Sequence, residues 1–173
     1  MIVYVDLDGV LADFVTGFNN KYPVKLSSLS YSELLKYKKN FAKDSFFASL
    51  PVFPGAKQFL KEIESMGHTV EILTAVSEFD SKENARQKEA WVKKNLGSYK
   101  FNWVKKSNEK AKFAKPNTLL IDDRIKSTKP FADAGGKIIL HRNFKDTLRE
   151  LKLIKPKKMT TYKDFLNKYA SSN

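Results

Sequence analysis

The chain contains no cysteine. Disulfides, thiolate metal sites and cysteine nucleophiles are therefore excluded. It has only two histidines, His68 and His141, which stand far apart without partner spacing. That argues against a histidine metal cluster and against a Ser-His-Asp relay. No apolar run approaches the roughly eighteen residues that a membrane-spanning helix needs. The N-terminus enters an apolar run directly, without a basic leader, apolar core and cleavage site, so a cytoplasmic protein with no membrane partner is expected. Internal repeats and low-complexity tracts are absent. Acidic residues are in deficit: 19 Asp and Glu stand against 32 Lys and Arg, a net charge of +13. This balance favours anionic partners, whether nucleotides, nucleic acid or an acidic surface, although solubility alone would also account for it.

What remains is the composition of an ordinary globular domain with a small insertion: 173 residues, 42% hydrophobic and 29% charged. The most informative segment is Tyr4 to Phe14, YVDLDGVLADF. Met1 to Val5 is rich in β-branched and aromatic residues and reads as a short buried strand. Asp6, Asp8 and Gly9 follow it. Two acids one residue apart at a strand's carboxyl end can hold a hard cation, supply a nucleophile or donate a proton. They can also form a plain acidic turn. Gly9 suits a loop that must stay open or approach a ligand closely.

Four later segments resemble that strand: His68 to Thr74, Lys100 to Val104, Asn117 to Asp123 and Lys137 to His141. Helical patterns lie between them, over Ala56 to Met66, Ser81 to Leu96 and Asn108 to Ala114. This alternation predicts a three-layer α/β, Rossmann-like parallel sheet with helices on both faces. Residues 15–53 break the rhythm. Their apolar positions suggest two or three short helices, and an insertion directly after the first strand's loop sits over the strand ends as a small helical cap. Alternatively it extends the core. The expected organisation is a core of residues 1–14 and 54–145, a cap of 15–53 and a basic helical extension of 146–173. The extension's helices are expected over Asp146 to Leu153 and Thr160 to Tyr169.

In a parallel sheet, all strand ends of one sense fall on one edge. That edge would gather Asp6 and Asp8, Thr74, and Asp122 and Asp123, with Lys110 and Lys112 close before the last pair. Clustered carboxylates repel one another unless a cation neutralises them. Mg²⁺, bound through carboxylates, water and a substrate phosphate, is the economical answer. A lysine among them suits a phosphate oxygen.

Asp6-Leu7-Asp8-Gly9-Val10, Leu73-Thr74, a lysine near Lys110, and Ile121-Asp122-Asp123 together resemble the haloacid dehalogenase superfamily of phosphohydrolases. More narrowly, DLDGVLADF (Asp6 to Phe14), LPVFPGA (Leu50 to Ala56) and LLIDD (Leu119 to Asp123) are similar to the 5'(3')-deoxyribonucleotidase family. The resemblance spans residues 1 to about 141. It implies a Mg²⁺-dependent phosphatase of nucleoside monophosphates. By that resemblance Asp6 is the nucleophile that forms an aspartyl-phosphate, and Asp8 is the general acid and base. Thr74 and Lys110 hold the phosphoryl group, and Asp122 and Asp123 complete the metal shell with Asp6 and Asp8. Phe14 lies near the nucleobase, with Phe18 and Phe47 as weaker candidates and plain core packing as the alternative. Lys112, and more distantly Lys105 and Lys106, could replace Lys110. Arg124 is a possible phosphate ligand or a solvent-facing residue. Ala75 departs from the family's pattern, where a hydroxyl can follow the threonine. Two other readings stay open: a phosphatase of sugar phosphates or of nucleic-acid 3'-phosphates, to which the net charge gives some weight, and a non-catalytic binding relative.

Overall fold

The computed structural model describes residues 1–154. The apolar runs form five parallel strands: β1 (Ile2–Val5), β2 (Thr69–Ala75), β3 (Lys100–Val104), β4 (Thr118–Asp122) and β5 (Lys137–Leu140). Their order is β3-β2-β1-β4-β5. β1 pairs with β2 on one side (Val5 opposite Ile72) and with β4 on the other (Val5 opposite Ile121). The chain thus builds outward from β1 through β2 to β3, then returns to the other side of β1 to begin β4. The gap between β1 and β4 is the point where the strand order reverses, and in open α/β sheets ligands bind there, beyond the carboxyl ends of the strands.

Side chains alternate across the sheet, so each strand feeds two cores. Val3, Val5, Ile72, Leu119, Ile121 and Ile139 pack on one face with Phe59, Leu60 and Ile63 of α3 (Ala56–Ser65), Trp91 and Val92 of α4 (Ser81–Asn95), and Leu151 of α6 (Phe144–Leu153). Tyr4, Leu73 and Leu120 pack on the other with Phe131 of α5 (Ile125–Asp133). Covered on both faces, β4 is buried along its whole length, as its unbroken apolar run requires. Helices on both sides of a parallel sheet are the architecture that the strand–helix alternation predicts.

The stretch of residues 14–53 contains two α-helices, α1 (Phe14–Lys21) and α2 (Tyr31–Lys38), with 3₁₀ turns at Leu26–Ser28 and Phe47–Ser49. Local chemistry sets the helix starts. Asp13 accepts from the Thr16 amide at 2.9 Å, and Ser30 and Glu33 form a reciprocal capping box. The segment's aromatics cluster tightly, with Phe41 stacked on Phe46 at 4.2 Å and Phe18 packed against Tyr22 and Tyr37. Phe18, Phe41 and Phe46 are fully buried and belong to the same apolar cluster as the strand residues. The segment is therefore continuous with the main core. Two bonds from α4 anchor its far end: Trp91 Nε1 donates to the Leu50 carbonyl at 2.7 Å and Gln87 Nε2 to the Ala42 carbonyl at 2.8 Å.

The helix expected over Asp146 to Leu153 is α6, begun by Asn143, whose side chain accepts from the Asp146 amide. The one expected over Thr160 to Tyr169 lies outside the described residues, as does the rest of the 146–173 extension past residue 154. Among the described residues no helix is long and apolar enough to cross a membrane.

Candidate active site

β1, β2 and β4 end side by side, and each delivers polar groups to the same edge. The Asp6 amide donates to the Ile121 carbonyl at 2.9 Å, which extends the β1–β4 ladder by one residue and sets Asp6 level with Asp122. Both carboxylates are buried, Asp122 completely. Lys110 comes from the 3₁₀ stretch Ser107–Phe113 and places its ammonium between them, 2.7 Å from Asp6 Oδ1 and 2.6 Å from Asp122 Oδ2. Burial works against the charge of Lys110, but Asp6 and Asp122 together outweigh it and hold the ammonium above its ordinary range. Lys112 stands on the other side of the same stretch, exposed and paired with Glu109 at 3.3 Å.

Asp123 follows on the strand's exit. Asp6, Asp122 and Asp123 each offer a carboxylate oxygen within 4.8 Å of the others. Burial, then the charges of Asp6 and Asp122, push the Asp123 carboxyl up to about 7. With all three ionised, three carboxylates against one lysine leave two negative charges in excess, which is the balance a divalent hard cation would meet. Gly9 sits against this group with φ of +83°; a Cβ there would lie 2.8 Å from the Asp123 carboxyl carbon. Any side chain at position 9 would displace Asp123, so the close approach needs glycine. The residues present therefore fit a Mg²⁺ site.

Asp8 lies beyond the Asp6 end of the loop. Its Oδ2 accepts from Lys88 Nζ at 2.6 Å, while its Oδ1 is buried without a hydrogen-bond partner. Burial raises the Asp8 carboxyl above its ordinary range and the charge of Asp6 adds to this, opposed by Lys88 and Lys110. The loop carrying Asp8 is fixed. The amides of Leu11 and Ala12 both donate to the Leu7 carbonyl, and the Phe53 and Asp13 amides tie it to the chain's return at residues 51–53.

Thr74 is fully buried near the end of β2, with its Oγ1 accepting from Lys88 Nζ at 3.1 Å. Lys88 also donates to the Ala75 carbonyl at 2.8 Å and lies 4.3 Å from the centre of the Phe47 ring. Its side chain is wholly buried, and four polar or aromatic partners surround its ammonium. Lys88 is not among the site residues expected from the sequence. The signal was present: Ala85, Trp91 and Val92 fall three or four residues to either side of Lys88, so it stands in the middle of the helix's apolar stripe.

A cavity of about 950 Å³ opens over these strand ends. Asp8, Gly9 and Asp123 reach it from the sheet edge, and Phe14, Phe41, Phe47 and Phe53 supply apolar wall. Phe14 is half-buried: it packs edge-on against Phe46 at 5.2 Å and also lines the cavity. Phe18 is fully buried among aromatics and does not line the cavity. Arg124 lines it, and its amide donates to Asp122 Oδ1 at 2.9 Å. Lys105 and Lys106 stand at the wall, away from the Asp6–Asp122 pair that Lys110 occupies.

The family whose sequence model matches is described as 5' nucleotidase, deoxy (pyrimidine), cytosolic type C, and the match runs over residues 1–150. Among solved structures, a hydrolase from Pseudomonas syringae superposes with a TM-score of 0.55 at 14% identity, covering 90% of this chain and 100% of that one. A haloacid dehalogenase family hydrolase from Deinococcus radiodurans, solved with bound phosphate and sodium, gives 0.52 at 14% identity, covering 79% and 78%. A family enzyme from Bacteroides thetaiotaomicron, solved with magnesium and inorganic phosphate, gives 0.51 at 13% identity, covering 82% and 93%. At these identities the structural likeness establishes the fold. No curated protein matches the chain.

Proposed function

This chain belongs to the family of cytosolic type C 5' nucleotidases of the haloacid dehalogenase superfamily, and from that premise we propose that it is a Mg²⁺-dependent phosphatase of nucleoside monophosphates, deoxyribonucleotides foremost, working through an aspartyl-phosphate. The observation that carries this reading is the placement of Lys110 between Asp6 and Asp122, with Asp123 and Asp8 on either side, at the edge of an aromatic-walled cavity. A carboxylate held at the strand-order reversal by a buried ammonium is oriented for attack.

Mg²⁺, held by Asp6, Asp122 and Asp123 with the backbone of Asp8, would neutralise charge on the phosphoryl group and position it. The chain's own residues do the rest. A carboxylate oxygen of Asp6 attacks phosphorus as the ester P–O bond breaks, and Asp8 gives its proton to the departing nucleoside oxygen. Its raised pKa suits that donation, while the Lys88 contact keeps the ionised form accessible for the second half. In that half Asp8 takes a proton from water, whose oxygen attacks phosphorus, breaking the bond to Asp6 and releasing phosphate. Lys110 and Thr74 meet the charge that develops on the phosphoryl oxygens. The helices and turns of residues 15–53 act as a cap: Leu34, Phe41 and Phe47 close the cavity opposite the strand ends and, with Phe14, provide an apolar wall for a base.

Phosphate release with Mg²⁺ should be measured over 5'- and 3'-mononucleotides, ribo and deoxy, and sugar phosphates. Selective turnover of deoxymononucleotides, silenced by EDTA and restored by Mg²⁺, is the expected result. A rate unaffected by chelation would remove the metal from this account, and no turnover of any nucleotide would remove the nucleotidase.

A further inference from the structure

The cavity carries more positive charge than a single phosphomonoester calls for. Its walls include Lys38 from α2, Lys105 and Lys106 after β3, and Arg124 and Lys126 at the start of α5. In a chain with 32 Lys and Arg, a count of cations decides nothing. Pairing does. Lys106 is matched by Glu78 at 2.8 Å. The cavity's other acids are engaged elsewhere: Asp8 by Lys88, Asp13 in starting α1, and Asp123 in the carboxylate cluster. Lys38, Lys105, Arg124 and Lys126 form no ion pair among the described residues.

These cations also feel one another. Burial, then the charge of Arg124, holds the half-buried Lys38 ammonium below the ordinary lysine range, and Lys126 and Lys88 push the same way against Asp8. Unpaired like charges gathered around a shared cavity oppose the fold unless an anion enters among them. The hydrolysed phosphate is met separately, by Lys110 and Thr74 at the strand ends. Close to Lys38, Tyr31 is 67% exposed, with the Lys38 ammonium 5.5 Å from its ring centre, and it too lines the cavity.

We propose that the cavity recognises a second phosphate on its substrate, beyond the ester that is hydrolysed, and that Lys38 and Lys126, with Arg124 and Lys105 beside them, hold it. This rests on the nucleotidase reading and narrows its substrate class. The second phosphate is either the other ester of a nucleoside bisphosphate or the neighbouring phosphodiester of a short strand. In the strand case Tyr31 offers a surface for the next base.

Titration calorimetry on Asp6→Asn protein with Mg²⁺ tests this. Thymidine 3',5'-bisphosphate should bind roughly tenfold or more tighter than either thymidine monophosphate, the size expected for added hydrogen bonds from charged groups. The gain should shrink as salt rises. The double substitution Lys38→Ala and Lys126→Ala should erase the gain while monophosphate affinity stays within about twofold, as for residues outside that contact. Equal affinity for bisphosphate and monophosphates, no binding of the bisphosphate, or a gain that survives the double substitution would overturn the proposal. A phosphorylated dithymidine that shares the gain identifies a strand end, and a gain confined to the bisphosphate identifies a free nucleotide. Phosphate release from thymidine monophosphates by the unaltered protein reports on the nucleotidase reading separately, so either idea can fail without the other.

Discussion

Lys110 and Lys88 are both fully buried, yet one served as a landmark in the sequence and the other went unseen. Lys110 bridges Asp6 and Asp122, so it cancels one of the negative charges packed into the carboxylate cluster. Lys88 bridges Asp8, Thr74 and the end of β2, and no acid besides Asp8 competes for it. The difference shows that the site has two electrostatic halves. In the mechanism proposed above, one half would bind and attack the phosphoryl group, and the other would set the state of the carboxyl that moves protons. Asp6 couples them, since its charge helps raise both Asp8 and Asp123.

Breaking the first half should have the larger effect. Lys110→Met leaves two buried carboxylates facing each other, and turnover should fall by about 10³-fold or more, the scale on which a preorganised charge acts on a transition state. Its apo form should also melt earlier, since removing one partner of a buried pair costs about 3–5 kcal/mol. Excess Mg²⁺ should recover part of that melting loss and little of the activity. Unchanged kcat in Lys110→Met would transfer the phosphoryl role elsewhere.

Lys88→Met should act differently, on the pH profile before the rate. Without the ammonium, the Asp8 carboxyl rises further. Proton donation then persists to higher pH, while the water-activating half, which needs the carboxylate, weakens below it. The expected picture is a fall in kcat of about 10²-fold, the usual range for disturbed acid–base catalysis. It comes with an alkaline shift of the ascending limb and accumulation of phosphoenzyme. An unshifted limb would reduce Lys88 to packing.

A milder test concerns the metal cluster. In the apo protein the Asp123 carboxyl sits at about 7, against 3.8 for a free aspartate. Between those values the unfolded chain has lost a proton that the folded one retains. Apo stability should therefore fall as pH rises from about 4 to 7 through this group and level off above. Mg²⁺ competes with that proton, so the rise in Tm produced by Mg²⁺ should grow over the same window and flatten above pH 7. Calorimetric melts with and without Mg²⁺ check this, and a Tm increment independent of pH would contradict it. Smallest of all is Lys112→Ala. The side chain is exposed and paired only with Glu109, so activity should stay within about twofold and stability within about 0.5 kcal/mol.

The asymmetry between the lysines also marks how far sequence reasoning reaches. Asp6, Thr74 and Asp122 were legible because each stands at the end of an apolar run, with Asp8 and Asp123 one or two residues further on, and parallel strands bring such ends to one edge. Lys110 was separable from Lys112 only by periodicity. In a 3₁₀ stretch positions three apart share a side, so Lys110 turns inward with Phe113, which packs on Tyr4 at 5.5 Å. Lys88 was obscured because a lysine in a charged helix reads as solvated surface; its buried position follows from long-range packing against residues 42–50. Residues 15–53 were legible as short helices. Their seam with the main core depends on contacts such as Trp91 to Leu50, which no local pattern encodes. The helix expected over 108–114 is a 3₁₀ stretch over Ser107–Phe113, and no spacing rule in a segment this short distinguishes it from an α-turn.

The central claim is that Asp6 becomes covalently phosphorylated. The direct measurement is acid quenching of Asp8→Asn protein mixed with radiolabelled thymidine monophosphate and Mg²⁺, followed by peptide mass analysis. The account predicts label retained on the peptide that contains Asp6, at near one phosphate per protein, and none when Asp6 is replaced by Asn. Label on any other residue, or steady phosphate release by Asp6→Asn protein at the unaltered rate, would contradict it.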